Sequence, residues 1–408
     1  MSLQPPQSGQ APQPEPTIIQ APAAASSTLP PVMIYLPGIS KSPANSASRM
    51  AELIAIKANN GPGTYAAEAV PSPSAHLTDG RRIVRAGSDP ALDVYTLDYR
   101  PRLQRPRVAG DGILAATRRF ALAVWYFLRA LVLVLRARKR AKSGIAKWQL
   151  VLGFGAAFVL LLAAVFTFFA MLAALELWSE PVVSDTADDA IALGATAITT
   201  WAFVKLRPVV DGAAVQVAQF LDYVQHERHA AGIAMAVNHA LDDLLEADGD
   251  RRVHLFGYSL GALVAVDFLY PRAAMHPTID PRHAKVVSTL ITVGFPLDFV
   301  RLYMPNYTND RMARIPGLSW TNVYIAADVF GSNLIDDNDF TDSAEAAAGR
   351  QTETPVTTTA LADEPPPVSR RYTNERLTLR NIWGYRGFLS HGGYWDEPEN
   401  ENCLHLVT

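Results

Sequence analysis

Short continuous runs of apolar residues, each closed by a turn-forming or charged residue, recur along this chain and predict buried strands. The first is Val32–Leu36, which ends at Pro37 and Gly38. Further strand candidates, rich in apolar and β-branched residues with a few polar positions, lie at Leu92–Leu97, Val253–Phe256, Val286–Val293 and Asn322–Ala326, with Arg376–Trp383 as a weaker last candidate. Apolar residues at consecutive positions suit strands that are covered on both faces, as in a parallel sheet.

Between these runs, apolar residues recur at helical spacing. The pattern predicts helices at Ser46–Asn59, at Gln216–Glu246 and from Leu260 to Tyr270. Strands that alternate with helices predict the α/β class, with a mainly parallel sheet flanked by helices.

Three long apolar segments interrupt this alternation in the middle of the chain. Phe120–Leu135 carries only Arg129, Trp148–Trp178 carries only Glu176, and Ala190–Val204 carries no charge. A helix needs about 20 apolar residues to cross a bilayer. We therefore predict a helical membrane insertion, with spans at about 149–175 and 187–206, and hence an integral membrane protein.

The charge pattern predicts the topology of this insertion. The cationic run from Arg136 to Lys147 favours the cytoplasmic side. Because the strands before and after the insertion are expected in one sheet, the crossings must be even in number. Phe120–Leu135 then forms an interfacial helix over about 118–136. An alternative pairs it with Trp148–Trp178 as a hairpin, which would place the cationic run outside.

Composition narrows the classes of function. The net charge of −3 over 408 residues gives no sign of a nucleic-acid partner. The single cysteine, Cys403, excludes a disulfide framework and any zinc site built from several thiolates. Residues 1–29 are rich in Pro, Gln and Ala, which is typical of a disordered tail rather than a secretory signal.

A candidate for nucleophilic chemistry follows the strand Val253–Phe256. Gly257-x-Ser259-x-Gly261 stands between that strand and an apolar helix, which is the setting of a nucleophile elbow. The tight turn would hold the serine hydroxyl clear of the sheet. The N–H of Leu260 would then point to where a carbonyl oxygen develops negative charge.

A second oxyanion donor is expected from a glycine-bearing loop after an early strand. The loop after Val32–Leu36 offers the N–H of Ile39 and that of Gly38, whereas Pro37 has none to donate.

A serine nucleophile needs a base and an acid that orients the base, in the chain order Ser, acid, His on such a fold. Beyond a plausible acid, only His391 and His405 remain, and we favour His391 because it follows the last strand candidate in a glycine-rich loop. For the acid we favour Asp328, just past the Asn322–Ala326 strand, with Asp298 as the second choice.

Together these features resemble the α/β-hydrolase superfamily, most closely its lipase-like and esterase-like serine hydrolases. The resemblance rests on Gly257-Tyr258-Ser259-Leu260-Gly261, the loop at Leu36–Ile39, the strand that leads to Asp328, and His391 with Tyr394-Trp395 behind it. It implies an α/β-hydrolase fold, an acyl-enzyme mechanism, and no metal or other cofactor. Pro37 stands where many members carry histidine, and the membrane insertion is unusual for the fold.

This reading divides the chain into six parts. They are a tail at 1–29, a first hydrolase part at 30–105, the membrane insertion at 106–210, a second hydrolase part at 211–335 with the elbow, a mobile loop at 336–370, and a C-terminal hydrolase part at 371–408 with the histidine.

The predicted function is a membrane-anchored serine hydrolase that cleaves a carboxylic ester, with its hydrolase domain on the cytoplasmic side of the lipid bilayer. The substrate would be a small-molecule ester or an acyl lipid. Two alternatives stay open: a hydrolase-like membrane interaction module without turnover, and an acyltransferase or thioesterase that uses the same triad. Oligomeric state is not predicted.

Overall fold

The structure is a computed structural model, and it describes part of the chain. The described residues are 29–39, 46–59, 63–87, 90–103, 125, 129, 132, 219–249, 251–272, 279–304, 307, 315, 317–325, 328, 331–334, 368–372, 394–395 and 403–406.

The described strands form one eight-stranded mixed sheet that is mostly parallel. Its strands are β1 (Val32–Leu36), β2 (Tyr65–Ala69), β3 (Thr78–Arg85), β4 (Pro90–Thr96), β5 (Val253–Tyr258), β6 (Val287–Val293), β7 (Ser319–Tyr324) and β8 (Val368–Arg371). Their spatial order is β2-β3-β4-β1-β5-β6-β7-β8. Six strands from β4 to β8 run parallel, and the β2–β3 and β3–β4 pairs are antiparallel.

Helices cover both faces of the sheet. They are α1 (Ala47–Ala58), α2 (Glu227–Asp248), α3 (Leu260–Leu269), α4 (Pro281–Val286) and α5 (Leu297–Tyr303), with short 3-10 turns at Arg100–Arg102 and Cys403–Leu406. Val32, Ile34 and Leu36 of β1 face the core that α2 to α5 share. Met33 and Tyr35 face the other core, with α1 and the turn at Cys403–Leu406. The α/β class and the mostly parallel sheet predicted from the sequence are therefore confirmed.

A buried ion cluster ties together the amino ends of the central strands. Asp93 on β4 is fully buried and receives two hydrogen bonds from Arg82 on β3, of 2.7 and 2.8 Å. Arg251, just before β5, also donates to Asp93, to the carbonyl of Pro30 and to Asp248. Burial alone would raise the pKa of Asp93, but the hydrogen bonds from Arg82 and Arg251 outweigh it and hold the pKa below its usual range.

Within the described part of the chain, no helix is both long and apolar enough to cross a bilayer. The predicted spans at 149–175 and 187–206 lie outside the described residues. Of the predicted interfacial helix at 118–136, only Trp125, Arg129 and Val132 are described, and each is helical.

Several further elements differ from the sequence-based prediction. The hairpin β2–β3 and the short helices α4 and α5 were not predicted. The predicted helix at Gln216–Glu246 is interrupted at His226, which separates helical residues 219–225 from α2. Strand β8 begins at Val368, inside the segment 336–370 that was predicted to be a loop, whereas the candidate strand Arg376–Trp383 lies outside the described residues.

Candidate active site

Ser259 stands on a sharp turn between β5 and α3. Its backbone angles, φ 56° and ψ −120°, fall in a region that residues with a side chain rarely occupy. Such a conformation typically costs about 1–3 kcal/mol and persists where the surrounding structure enforces it. The Ser259 N–H donates to the carbonyl of Val293 at 2.9 Å, which carries the β5–β6 pairing into the turn. The side chain is half-buried at the carboxyl end of the sheet.

The two flanking glycines are required by close backbone approaches. A Cβ at Gly257 would lie 2.5 Å from Ala262 Cα and 2.6 Å from the carbonyl oxygen of Gly261. A Cβ at Gly261 would overlap the carbonyl of Leu36 at the end of β1. Gly261 therefore does more than permit the tight turn at Ser259. Because it has no side chain, it also allows the first turn of α3 to pack directly against β1.

The turn lies where ligand sites form in open α/β sheets. The next parallel strand along the chain after β1 is β4, and it lies beside β1 in one direction across the sheet. The next strand after β5 is β6, and it lies beside β5 in the opposite direction. Such a reversal leaves a crevice outside the carboxyl ends of the two strands. Gly38, just after β1, borders this crevice: a Cβ there would meet Ser259 Cβ at 3.2 Å and the Tyr258 ring at 3.1 Å.

Two of the three predicted oxyanion donors, Leu260 and Gly38, lie beside the serine. The N–H of Leu260 is the first in α3, and the first N–H groups of a helix have no acceptor within the helix. On the other side, the Pro37 carbonyl accepts a 2.6 Å hydrogen bond from the hydroxyl of buried Tyr99. In a trans peptide the carbonyl and the following N–H point in opposite directions, so this bond also orients the N–H of Gly38. Ile39 is half-buried against the core.

Asp328, the favoured acid, is 4% exposed and lies past the end of β7. Its Oδ2 accepts a 2.8 Å hydrogen bond from the hydroxyl of Tyr394. The same hydroxyl accepts a 3.0 Å bond from the N–H of Ile325. Gly331 closes over this pair, since a Cβ there would lie 2.6 Å from the Tyr394 hydroxyl and 2.7 Å from Asp328 Oδ2.

Burial raises the pKa of Tyr394 well above its usual value, and the negative charge of Asp328 raises it further. Tyr394 is therefore a neutral donor to the carboxylate over the whole physiological range. The Tyr394 ring also contacts the ring of Tyr258, edge to face, with 6.1 Å between the ring centres. Tyr394 therefore contacts both Asp328 and Tyr258, the residue before Ser259.

Asp298, the second choice for the acid, differs from Asp328 in exposure. It lies in the first turn of α5, its side chain is 47% exposed, and Arg301 is 3.9 Å away. Its N–H donates to Ser332 Oγ at 2.8 Å, which connects the loop after β6 to the loop that follows Asp328. Asp298 therefore lies at the correct edge of the sheet but points to solvent.

His391, the favoured base, lies outside the described residues, and so does the side chain of His405. Sequence reasoning assigned no role to Tyr99 or Tyr394, although both fix groups of the predicted site. Tyr99 lies three positions past the end of β4, and an aromatic hydroxyl just past a buried strand is a usable signal. Tyr394 stands in the segment of His391, but no local pattern indicates its contact with Asp328.

Searches against protein-family models, curated proteins and solved structures find no match for this chain.

Proposed function

We propose that this protein is a serine hydrolase with an α/β-hydrolase fold, and that it cleaves a carboxylic ester through Ser259, Asp328 and His391. One observation supports this proposal most strongly: Ser259 holds a strained backbone at the carboxyl end of β5, against the loop after β1. A turn with only a structural role has no need of such strain, and strained residues cluster at active sites.

In the proposed mechanism, Ser259 Oγ attacks the ester carbonyl carbon while His391 accepts the hydroxyl proton. The N–H groups of Leu260 and of Gly38 or Ile39 stabilise the oxyanion, and loss of one such donor typically raises the barrier by about 3 kcal/mol. His391 then protonates the departing alcohol, and an acyl group stays on Ser259. A water molecule, deprotonated by His391, releases the carboxylic acid and restores the serine.

Asp328 would orient His391 and stabilise its protonated form. Only two residues, Gly392 and Gly393, separate His391 from Tyr394, whose hydroxyl bonds Asp328. The three Cα–Cα steps from His391 to Tyr394 span at most about 10 Å of extended chain, so chain connectivity would leave His391 within reach of the acid. The burial of Asp328 also suits this role, because the ion pair formed with His391 would be shielded from solvent.

The apolar composition of residues 106–210 supports a tether to the bilayer, with an acyl lipid as the candidate substrate. Arg129, in the predicted interfacial helix, lies 5.9 Å from the centre of the Tyr303 ring on α5. This contact would hold the helix against the hydrolase domain. The cationic run that follows favours a cytoplasmic location for that domain.

Labelling with a fluorophosphonate probe tests the chemistry directly. We expect the full-length protein in detergent to be labelled covalently and Ser259→Ala to show no labelling. His391→Ala should lose at least 99% of the labelling rate, since the serine is then without a base.

His405→Ala is the matched control and should react like the wild type. Folded wild-type protein that resists the probe would contradict the enzyme proposal and favour an interaction module. Loss of labelling in His405→Ala, with labelling retained in His391→Ala, would show that the base is assigned to the wrong histidine.

A further inference from the structure

Two histidines and an aspartate meet at the helix break that precedes α2. Asp222 belongs to the helical residues 219–225, His226 forms the break, and His229 lies in the first turn of α2. Asp222 Oδ1 is 3.1 Å from His226 Nδ1, and Asp222 Oδ2 is 2.7 Å from His229 Nδ1. Each of the three residues therefore offers one possible ligand atom, and these atoms lie within 4.8 Å of one another.

The contact between Asp222 and His229 is not an ordinary hydrogen bond. Nδ1 of His229 is shielded from solvent and has no hydrogen-bond partner among the described residues. The Asp222 carboxylate oxygen is close enough to accept a hydrogen bond from this nitrogen. Because no hydrogen bond forms, the oxygen must lie away from the direction in which an Nδ1–H would point. A metal ion would fit this arrangement, because it would occupy the lone-pair direction of Nδ1 and the carboxylate would lie beside that direction.

We propose that Asp222, His226 and His229 bind a divalent transition-metal ion of the zinc class. Two imidazole nitrogens and one carboxylate oxygen form a ligand set that zinc uses, whereas calcium and magnesium prefer oxygen ligands throughout. Tetrahedral zinc places neighbouring ligand atoms about 3.3 Å apart. The two contacts of Asp222 are 3.1 and 2.7 Å long, and all the ligand atoms of the cluster lie within 4.8 Å of one another. Side-chain rotations would adjust these distances around an ion.

The cluster is accessible to an ion and has room for a fourth ligand. The side chain of His226 is 53% exposed, whereas those of Asp222 and His229 are 15% and 12% exposed. Water can therefore reach the open position from the side of His226. An ion would compete with the 3.2 Å contact between His226 Nδ1 and the backbone oxygen of Asp222, which a neutral imidazole can leave at small cost.

A second cluster of similar composition lacks these properties. Asp242, Asp280 and His283 also lie close together, but Arg282 pairs with both carboxylates, at 3.1 and 3.0 Å. Both ring nitrogens of His283 are already in contact, with Asn238 and Asp242, at 2.9 Å each. The guanidinium occupies the place of a cation there, so we do not assign a metal to it.

The proposed ion would fasten the chain after the membrane insertion to the hydrolase core. Tyr223, next to Asp222, bonds the buried Asp267 on α3 at 2.9 Å. Arg272 donates to the carbonyl of Val224 at 3.1 Å. Since Asp267 lies towards the carboxyl end of α3 and Ser259 precedes its amino end, the ion would have a structural role. The site is independent of the proposed ester hydrolysis and of its metal-free mechanism.

Isothermal titration of the chelator-treated full-length protein with ZnCl₂ in detergent tests this site. We expect one Zn²⁺ per chain, and at least a tenfold weaker affinity in His229→Ala and in Asp222→Asn. Zn²⁺ should also raise the midpoint of thermal unfolding of the wild type but not of these variants. MgCl₂ at the same concentration should do neither.

His239→Ala is the matched control, because it removes a histidine from the same helix, one that stacks on His76 outside the cluster. It should bind Zn²⁺ like the wild type. A wild type that binds no Zn²⁺ at micromolar concentration would overturn the proposal. Equal loss of affinity in His239→Ala, or full affinity in His229→Ala, would overturn it as well. Thermal unfolding without metal shows whether each variant is folded.

Discussion

At the scale of single residues, the candidate site depends on buried hydroxyl groups that hold other groups in place. Tyr99 fixes the Pro37 carbonyl in the loop Leu36–Ile39, the proposed oxyanion loop, and Tyr394 stands between the N–H of Ile325 and Asp328. Burial raises the pKa of both tyrosines well above the usual value, so both stay neutral donors at physiological pH. A carboxylate held in this way keeps a fixed orientation, which suits the role proposed for Asp328.

Tyr394→Phe should therefore impair catalysis more than folding. The change removes the donor to Asp328 and leaves the N–H of Ile325 unpaired, which costs about 1–3 kcal/mol of stability. We expect kcat for ester hydrolysis to fall about tenfold or more, with KM little changed, because the orientation of the acid matters for the transition state. Steady-state kinetics and thermal unfolding measure the two effects separately.

Tyr35→Phe is the control for that substitution. The Tyr35 hydroxyl is buried in the same core and has no hydrogen-bond partner among the described residues. Its removal should leave kcat and stability unchanged or slightly improved. If Tyr394→Phe also retains the wild-type kcat, Tyr394 has no positioning role and Asp328 is held by other contacts.

At the scale of elements, the sequence predicts best those strands and helices whose apolar pattern is continuous. Strand β1 and helix α1 match their predicted positions closely, because β1 is buried on both faces and Ser46 caps α1 by accepting from the N–H of Arg49 at 3.2 Å. The elbow strand continues two residues beyond its predicted end, to Tyr258, since pairing with β6 extends that far.

The missed elements have weak local signals. Strand β2 lies at the edge of the sheet and β3 lies next to it. Only two residues of this pair are buried, Gly80 and Ile83, so Tyr65–Ala69 and Thr78–Arg85 lack a continuous apolar run. Strand β8 has the exposure of an edge strand and only four residues. The break at His226 leaves the helical spacing of apolar residues intact, because both helical pieces bury residues in the same core. Such features depend on tertiary contacts that no local pattern records.

The packing of α3 against β1 leads to a prediction for Gly261. Gly261→Ala would drive a methyl group into the Leu36 carbonyl, which the backbone can avoid only by separating the elbow from the oxyanion loop. We expect fluorophosphonate labelling to be lost and the midpoint of thermal unfolding to fall.

Gly232→Ala gives the contrasting case, because a Cβ there meets nothing within 4 Å. That change lies within α2 and should stabilise the helix by about 1 kcal/mol while labelling continues. Labelling of Gly261→Ala at the wild-type rate would mean that the elbow does not depend on its contact with β1.

At the scale of the whole molecule, the ion cluster around Asp93 makes stability depend on pH. The folded pKa of Asp93 is lowered, so its contribution is complete above the unfolded pKa of about 3.9 and declines as pH falls towards the folded pKa. Asp93→Asn should therefore destabilise the protein by about 3 kcal/mol near neutral pH, because buried Arg251 loses one of its two carboxylate partners and keeps only Asp248. Below about pH 4 the difference from the wild type should shrink.

Thermal unfolding midpoints between pH 3 and pH 7 test this expectation, with Glu52→Gln as the control. Glu52 pairs with Arg49 at the surface, where such a pair contributes about 0–1 kcal/mol. A constant difference between Asp93→Asn and the wild type across that range would show that the charge of Asp93 does not stabilise the fold.

The pairing of β1 with β5 also sets an order of events during synthesis. Arg251 bonds the Pro30 carbonyl across 221 residues, and Val32 pairs with Val253 over the same separation. Ribosomes add about 5–20 residues per second, so β1 waits roughly 10–45 s for its second neighbour. During that time one edge of a strand that ends up central exposes its backbone donors and acceptors to other chains. This exposure ends when β5, the strand that leads to Ser259, leaves the ribosome and pairs with β1.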